Sequence, residues 1–379
     1  MIDFTTVTLP LVIFYVFAFA CLVQLWYYLF FFSRLAFYKK RETVSDFPPA
    51  SIIVYARNQE DGLVGFLPII LNQDYPEFEV VVVNDCSYDN TQDILNEFTK
   101  KYSNLKVVTS KENKNHYHGK KVALMMGIKG ANHELLLLTE ASSKPTSKDW
   151  LKNMIRNFSP ETEIVLGYGG YEKLNGFLNK MIRFDTYMDA LQFLSFSLSG
   201  MAYKGVGRNL AFKKSLFFKV KGFASHYHVE HGSDDLFVNE AATKHNTKIE
   251  VDTNSYTISF VKKNLKDWFF KKRADGSTFK HYTFGSKLLV HFFYLSQYLF
   301  FASFIALLLA QFEPIWVLSF FALRFLIQLL IFNKSMNLLS EKDLLLYSPL
   351  VELVLLVIYP MIIVTKIFIG KNKFKMTNG

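Results

Sequence analysis

Long uncharged apolar runs at both ends of the chain, with short alternating strand and helix patterns between them, restrict this sequence to a membrane-embedded α/β architecture. From Phe4 to Ser33 there is no charged residue, and Leu9–Phe32 is almost wholly apolar. About 20 such residues cross a bilayer's hydrocarbon core. A cleaved secretory signal would need a basic start, a shorter apolar core and a small-residue cleavage site. Here Asp3 is the only early charge and Phe30-Phe31-Phe32 precede Arg34, so residues 1–33 read as an uncleaved anchor. Arg34, Lys39, Lys40 and Arg41 follow in a basic linker, 34–49, which sets the next segment in the cytoplasm by the positive-inside rule. Three more apolar runs, Leu288–Phe312, Pro314–Asn333 and Leu344–Thr365, occupy a C-terminal membrane region, 288–369. Glu313-Pro314 separates the first two as a tight hairpin. Arg324 is costly in lipid and should face protein, water or a headgroup. Four complete crossings would leave the basic tail, 370–379, outside, against the charge bias. One run is therefore expected to be re-entrant or interfacial, and Leu344–Thr365, with Glu352 and Pro360, is the one chosen. One N-terminal and two to three C-terminal transmembrane helices are expected.

Residues 50–260 alternate short apolar runs with amphipathic stretches. Ser51–Tyr55, Glu79–Val83, Leu105–Val108, Leu135–Thr139 and Glu163–Gly167 read as strands. Asp61–Asn72, Thr91–Lys101, Lys120–Ala131 and Ser147–Asn157 read as helices. This alternation implies βαβ units and a mainly parallel sheet with helices on both faces. Ligands of such sheets bind beyond the carboxyl ends of the strands. Asn84-Asp85 follows the second strand, Glu140-Ala141-Ser142 the fourth, and Asp234-Asp235 opens a helix-like stretch, Leu236–Lys244. The basic loop Lys111–Lys121 offers Lys120 to a phosphate. Carboxylates, a metal and a lysine suit a phosphate ester. The plainer alternative is that Asp85 and Asp234 only cap helices. A net charge of +10 suits polyanionic partners. Two cysteines, Cys21 and Cys86, exclude a disulfide framework and a cysteine-ligated zinc site.

Over about Pro49–Tyr282 the sequence resembles the inverting family-2 glycosyltransferases of GT-A fold, in particular their membrane-anchored bacterial members. Ser51-Ile-Ile-Val-Tyr-Ala-Arg-Asn-Gln-Glu60 looks like that family's first strand and turn, which border the nucleotide. Asn72-Gln-Asp-Tyr-Pro76 with Glu79-Val-Val-Val-Val-Asn-Asp-Cys-Ser-Tyr-Asp89 resembles its most specific block, and Gly119-Lys120 with Ala123-Leu124 its Gly-Lys segment. Gly207-Arg-Asn-Leu-Ala-Phe-Lys-Lys-Ser215 and Gly222-Phe223 resemble the stretch shaping the acceptor side. The resemblance implies a nucleotide-sugar donor site using Ala56, Arg57, Asn58, Glu60, Asp85, Lys120 and Arg273. It also implies an acidic pair, Asp234 and Asp235, whose second member is the general base.

Two departures qualify it. The family's Asp-x-Asp metal motif reads Glu140-Ala141-Ser142. Glu140 and Ser142 are the implied ligands of Mg²⁺ or Mn²⁺, and a neutral hydroxyl is the poorer donor to a hard cation. The Gln-x-x-Arg-Trp motif of processive members is represented by Phe270-Lys-Lys-Arg273-Ala274, which keeps only the arginine, here a cationic partner for the diphosphate.

In inverting transfer a carboxylate takes the proton of the attacking hydroxyl. That role falls to Asp235, with Asp234 expected to raise its pKa by like-charge repulsion. His226, His228 and His231 beside Glu230 read as exposed loop histidines, or one as lining the acceptor pocket. Residues 261–287, with Lys262, Lys263, Lys266 and Trp268–Lys272, read as an interfacial segment on the lipid headgroup layer rather than an RNA-binding one. The expectation is a multi-pass inner (plasma) membrane enzyme with a cytoplasmic catalytic domain. It would move a sugar from a nucleotide donor to a lipid-linked or glycan acceptor, with membrane lipids as partners and no nucleic acid. The rivals are a non-catalytic scaffold of the same fold, motivated by Glu140-Ala141-Ser142, and a transport component, for which Arg324 and Glu352 offer little of a pathway.

Overall fold

A computed structural model describes residues 8–39, 47–110, 119–260 and 264–368. Lys40, Arg41, most of the 111–121 loop, Lys262, Lys263 and the basic tail lie outside the described residues. In chain order the helices and strands are α1 (Leu9–Ala36), β1 (Ala50–Ala56), α2 (Glu60–Leu71), β2 (Phe78–Asp85), α3 (Thr91–Lys101), β3 (Leu105–Ser110), α4 (Lys120–Gly130), β4 (Leu135–Glu140), β5 (Ser143–Pro145) and α5 (Trp150–Ile155). There follow β6 (Ile164–Gly167), β7 (Gly169–Tyr171), α6 (Phe177–Leu198), β8 (Leu210–Lys213), α7 (Lys214–Lys219), α8 (Asp235–Ala241), β9 (Thr247–Glu250), β10 (Thr257–Ser259), α9 (Leu265–Thr278), α10 (Phe284–Leu309), α11 (Pro314–Leu338) and α12 (Ser348–Phe368).

The strands form a seven-stranded sheet in the order β3-β2-β1-β4-β8-β6-β9 and a three-stranded sheet in the order β5-β10-β7. β1, β2, β3 and β4 run parallel, as does β9 with β6, while β8 is antiparallel to both its neighbours. The period of two in a strand sorts the apolar runs onto two faces. Ile52, Val54, Val80, Val82, Leu135 and Leu137 enter one core with α2 and α5. Ile53, Val81, Val83, Leu136 and Leu138 enter the other with α4 and α6. That second core continues through Phe184, Tyr187 and Phe196 of α6 into Tyr27, Phe31 and Phe32 of α1, Phe293 of α10 and Phe332 of α11. The α/β domain and the apolar helices therefore share one core.

The expected strands and the first four helices appear with ends shifted by a few residues. Ser147–Asn157 shortens to α5, and Leu236–Lys244 becomes α8. α6 is not among the expected helices, because its residues are buried on nearly every side and such a helix lacks the polar face that makes a 3.6-residue period visible.

Four helices, α1, α10, α11 and α12, are long and apolar enough to cross a membrane. Gln311 and Glu313, in left-handed backbone, turn α10 into α11 as the expected hairpin. Arg324 is 1% exposed and faces protein. Its guanidinium donates to Glu352 at 2.9 Å, to Gln24 at 3.2 Å and to Gln328. Gln297 and Gln328 also donate to Glu352, at 2.6 and 2.7 Å. One charged pair thus ties all four helices together. The run expected to be irregular is a continuous helix, α12, with Pro360 inside it. Its attachments are unusual for a crossing helix. Just before it, Glu341 and Asp343 accept hydrogen bonds from Arg183 of α6, and farther along it Tyr359 donates to Asp185 of α6.

Candidate active site

Parallel pairing brings the carboxyl ends of β1, β2 and β4 to one rim. Tyr55 lies opposite Val83 on one side and Glu140 on the other. β8 runs the opposite way, so its beginning lies at that rim. Leu210 pairs with Leu138, and Thr139 donates to the Arg208 carbonyl at 3.1 Å. The small sheet abuts the same place. Tyr171 pairs with Ser259, Ser259 pairs with Ser143, and the two serine hydroxyls are 2.7 Å apart.

The loops after β1 and β2 are sewn together. The Asn58 and Glu60 backbone N–H groups donate to Ser87 Oγ and Asp89 Oδ2 at 3.0 and 3.1 Å. In return, Tyr88 N–H donates to Asn58 Oδ1 at 2.9 Å and Asn90 donates to Glu60. Asn58 and Cys86 both adopt left-handed backbone there. Beside these loops lies a cavity of about 690 Å³, lined among others by Asn58, Glu60, Glu140, Ser142, Tyr171, Arg208 and Lys271. Gly62 permits the closeness of α2, because a Cβ there would sit 2.5 Å from the Ala141 carbonyl oxygen.

Of the residues named from sequence, Asn58, Glu60, Glu140 and Ser142 line this cavity, whereas Ala56, Arg57, Asp85, Lys120, Arg273, Asp234 and Asp235 do not. Asp85 is buried, accepting from Tyr55 Oη at 2.8 Å with the Arg57 guanidinium at 3.8 Å. Lys120 forms an ion pair with Glu140 and lies over the Tyr55 ring at 5.1 Å. Arg273 shares α9 with Lys271, and Lys271 is the one that reaches the cavity.

The acidic pair does more than cap α8. Asp234 accepts from Gly207 N–H at 2.5 Å, which presses it against the segment carrying Arg208. Asp235 is 7% exposed. Its Oδ2 accepts from Thr278 Oγ1 at 2.6 Å and Tyr282 Oη at 2.8 Å. Both donors belong to the segment expected to lie on the membrane surface. Asp235 has its pKa raised, as expected, but burial is the first cause and the Asp234 charge the second, with Thr278 and Tyr282 opposing. Lys120 feels both Glu140 and Asp234, so the first member of the acidic pair lies within electrostatic reach of the Lys120–Glu140 pair at the cavity's edge. His228 and His231 are exposed, but His226 is buried and neither ring nitrogen has a hydrogen-bond partner. Burial, with Lys121 nearby, holds its pKa down at about 4.

Residues 51–221 match the family described as glycosyl transferase family 2. The chain carries a family 2 glycosyltransferase domain. Among similar proteins, the probable glycosyltransferase YdaM of Bacillus subtilis is 36% identical over 109 residues, covering 28% of this chain and 26% of that protein. The poly-beta-1,6-N-acetyl-D-glucosamine synthase of Staphylococcus epidermidis is 34% identical over 93 residues, 24% of this chain and 21% of its own. Each match thus spans about a quarter or less of the relative. The mannosyltransferase PcManGT from Pyrobaculum calidifontis, solved with GDP-Man and Mn²⁺, superposes with a TM-score of 0.59 at 18% identity, covering 90% of this chain and 98% of that one. That likeness establishes the GT-A-like fold.

For this glycosyltransferase domain a divalent ion at Glu140 and Ser142 is the implied cofactor, and the residues present do not fit it. Mg²⁺ wants one or two free carboxylates with waters and phosphate oxygens. The Glu140 carboxylate is already paired with Lys120, whose charge, before any other cause, holds its pKa down at about 2. Ser142 brings no charge, and Arg208 and Lys271 add two more cations around the same cavity. Glu60 and Asp89 are occupied in joining the two loops. Among the described residues no cluster of three or more His, Cys, Asp or Glu side chains could hold an ion.

Arg208, Tyr171, Lys271, Thr278 and Tyr282 were not singled out from sequence. Arg208 stood within a quoted block, Gly207-Arg208-Asn209, and only the antiparallel start of β8 reveals where it points.

Proposed function

We propose that this protein is a membrane-bound inverting glycosyltransferase, taking a sugar from a nucleotide donor and giving it to a lipid-linked or glycan acceptor at the cytoplasmic membrane face. What supports the reading is a family 2 domain whose rim gathers Asn58, Glu60, Glu140 and Arg208 around one cavity, with Asp234 in electrostatic reach of the Lys120–Glu140 pair and Asp235 next in the chain. In the reaction an acceptor hydroxyl attacks the anomeric carbon and forms the new C–O bond. The bond to the diphosphate oxygen breaks, its electron pair leaves with the nucleoside diphosphate, and the hydroxyl proton passes to Asp235. A base set apart from the donor cavity suits inversion, since the nucleophile must arrive opposite the leaving group. Thr278 and Tyr282 orient the Asp235 carboxylate, and Asp85 with Arg57 borders the nucleotide.

We further propose that three helices cross the membrane and that α12 lies along the interface. From Ser348 to Tyr359 a helix advances about 16 Å; along the membrane normal, that would carry Tyr359 away from α6, yet Tyr359 donates to Asp185. Trp268 and Lys272 of α9 meet the same carboxylate at 3.0 and 2.8 Å. This arrangement returns the basic tail to the domain's side, as the charge bias requires, and sets the acidic pair close to a lipid-borne acceptor.

The test is a screen of nucleotide sugars with the full-length protein in lipid nanodiscs, reading nucleoside diphosphate release. Release with at least one donor, lost in Asp235→Asn, is expected. Release that survives Asp235→Asn unchanged removes the base assignment, and absence of release with every donor and acceptor favours the scaffold reading.

A further inference from the structure

We infer that, in the transfer reaction proposed above and resting on it, the donor's diphosphate is held and its departing charge balanced by Arg208 and Lys271, joined through Tyr171, instead of by a divalent cation. The acid set argues for this from one side, since Glu140 is engaged by Lys120 and position 142 offers only a hydroxyl.

The cations argue for it from the other. Arg208 is buried and lies over the Tyr171 ring at 4.6 Å, while Lys271 donates to the Tyr171 hydroxyl at 2.5 Å. Both line the cavity with Glu140. Among the described residues neither forms an ion pair with a carboxylate within 4.0 Å. Neighbouring cations, by contrast, are neutralised: Lys272 by Asp185 at 2.8 Å and Lys204 by Asp189 at 2.7 Å. Arg208 Nε is buried without a hydrogen-bond partner, a costly condition unless a ligand supplies one. Gly169 leaves the space Arg208 occupies, because a Cβ there would approach its Nε to 2.6 Å. Tyr171 reports the surplus positive charge. Burial alone would push its phenol up, but Arg208 and Lys271 outweigh burial and bring it down to about 8.

The departing diphosphate gains one negative charge as the anomeric C–O bond breaks. A planar guanidinium beside an ammonium can meet that charge with two-pronged and single hydrogen bonds. Donors fixed in advance toward the place where charge develops are the usual means of stabilising an oxyanion.

The experiment measures binding of UDP and GDP, and of the matching monophosphates, to the full-length protein in nanodiscs, with EDTA or with Mn²⁺. Diphosphate affinity is expected to be the same in both media. Lys271→Met and Arg208→Lys, the latter keeping charge but losing the fork, are each expected to weaken diphosphate binding about 10- to 100-fold, the worth of a charge-assisted contact, and monophosphate binding much less. Lys271 is exposed, so its variant tests the idea even if Arg208→Lys fails to fold. A tenfold or greater loss of native affinity on chelation would overturn the inference and leave the transferase reading standing. So would diphosphate binding by Lys271→Met equal to the native protein's. Failure of every nucleotide to bind in either medium would overturn both.

Discussion

Tyr282→Phe removes one of two hydroxyl donors from the Asp235 carboxylate and nothing else of comparable reach. Tyr282 Oη donates to Oδ2 at 2.8 Å, and Thr278 Oγ1 shares that oxygen. A hydrogen bond to a charged acceptor contributes about 1.5–3 kcal/mol. At 1.36 kcal/mol per pKa unit, its loss raises the Asp235 pKa by about one to two units. A general base works deprotonated, so the rate climbs with pH through that pKa. The acid limb of the rate profile should therefore move to higher pH by about one to two units, with little change on the alkaline plateau. Initial rates of diphosphate release across the pH range measure it directly, and Thr278→Val should act in the same direction. An acid limb that stays where it was would refute the assignment of Asp235 as the base, or of Tyr282 as its partner.

Linkage gives a second readout independent of turnover. Asp235 has a pKa raised above its unfolded value, by burial first and Asp234 second. Its contribution to stability is then fully present below the unfolded pKa and lost as pH rises through the folded one. Tyr282→Phe raises the folded value further. The variant's thermal deficit should be small in acid, where both states are protonated, and larger at neutral pH. A deficit equal at both would mean that Tyr282 only packs.

Asp235→Asn should lower turnover by at least about 10²-fold, while its unfolding midpoint at neutral pH holds or rises, because a buried carboxylate beside Asp234 is gone; paired rate and thermal-shift measurements check this. Arg324→Met leaves Glu352 buried without its charge partner and should cost about 3–5 kcal/mol of stability. Adding Glu352→Gln should restore part of that loss, read by unfolding in nanodiscs. An epitope placed after the last residue should be reached by antibody from the same side of sealed vesicles as the catalytic domain; opposite-sided access would mean that α12 crosses the membrane.

The β1–β4 half of the sheet was legible because strands of a parallel sheet, covered on both faces, are written as unbroken Val, Ile and Leu runs. β7, β8, β9 and β10 are three or four residues long, and β7 consists of Gly169, Gly170 and Tyr171, so they carry no such run. α6 escaped notice because it serves as the floor of both the domain and the helical bundle. Arg324 illustrates a partial reading: its need of a protein partner followed from the cost of charge in lipid, but Glu352 and Gln24 could be named only from the packing.

The rim follows the same logic. Glu140 was found because a parallel sheet delivers every post-strand residue to one edge, whereas Asn58 and Glu60 came from the resemblance of the turn after β1. Asp235 was assigned a raised pKa for its neighbour's charge, whereas burial is the larger cause, and its two hydroxyl partners, Thr278 and Tyr282, come from a segment outside the expected domain boundary at 260. Glu140 resembles a metal ligand beside position 142 alone, but the residue across the gap is Lys120. Lys120 opens α4, Glu140 closes β4, and the two meet only because β1 lies between β2 and β4. Once that pair is formed, the carboxylate serves to hold a lysine. The cations left over, Arg208 and Lys271, arrive from the turn before an antiparallel strand and from α9. A site assembled from such distant parts is specified by the register of the sheet, and a motif search confined to contiguous residues sees its acids without their counter-charges.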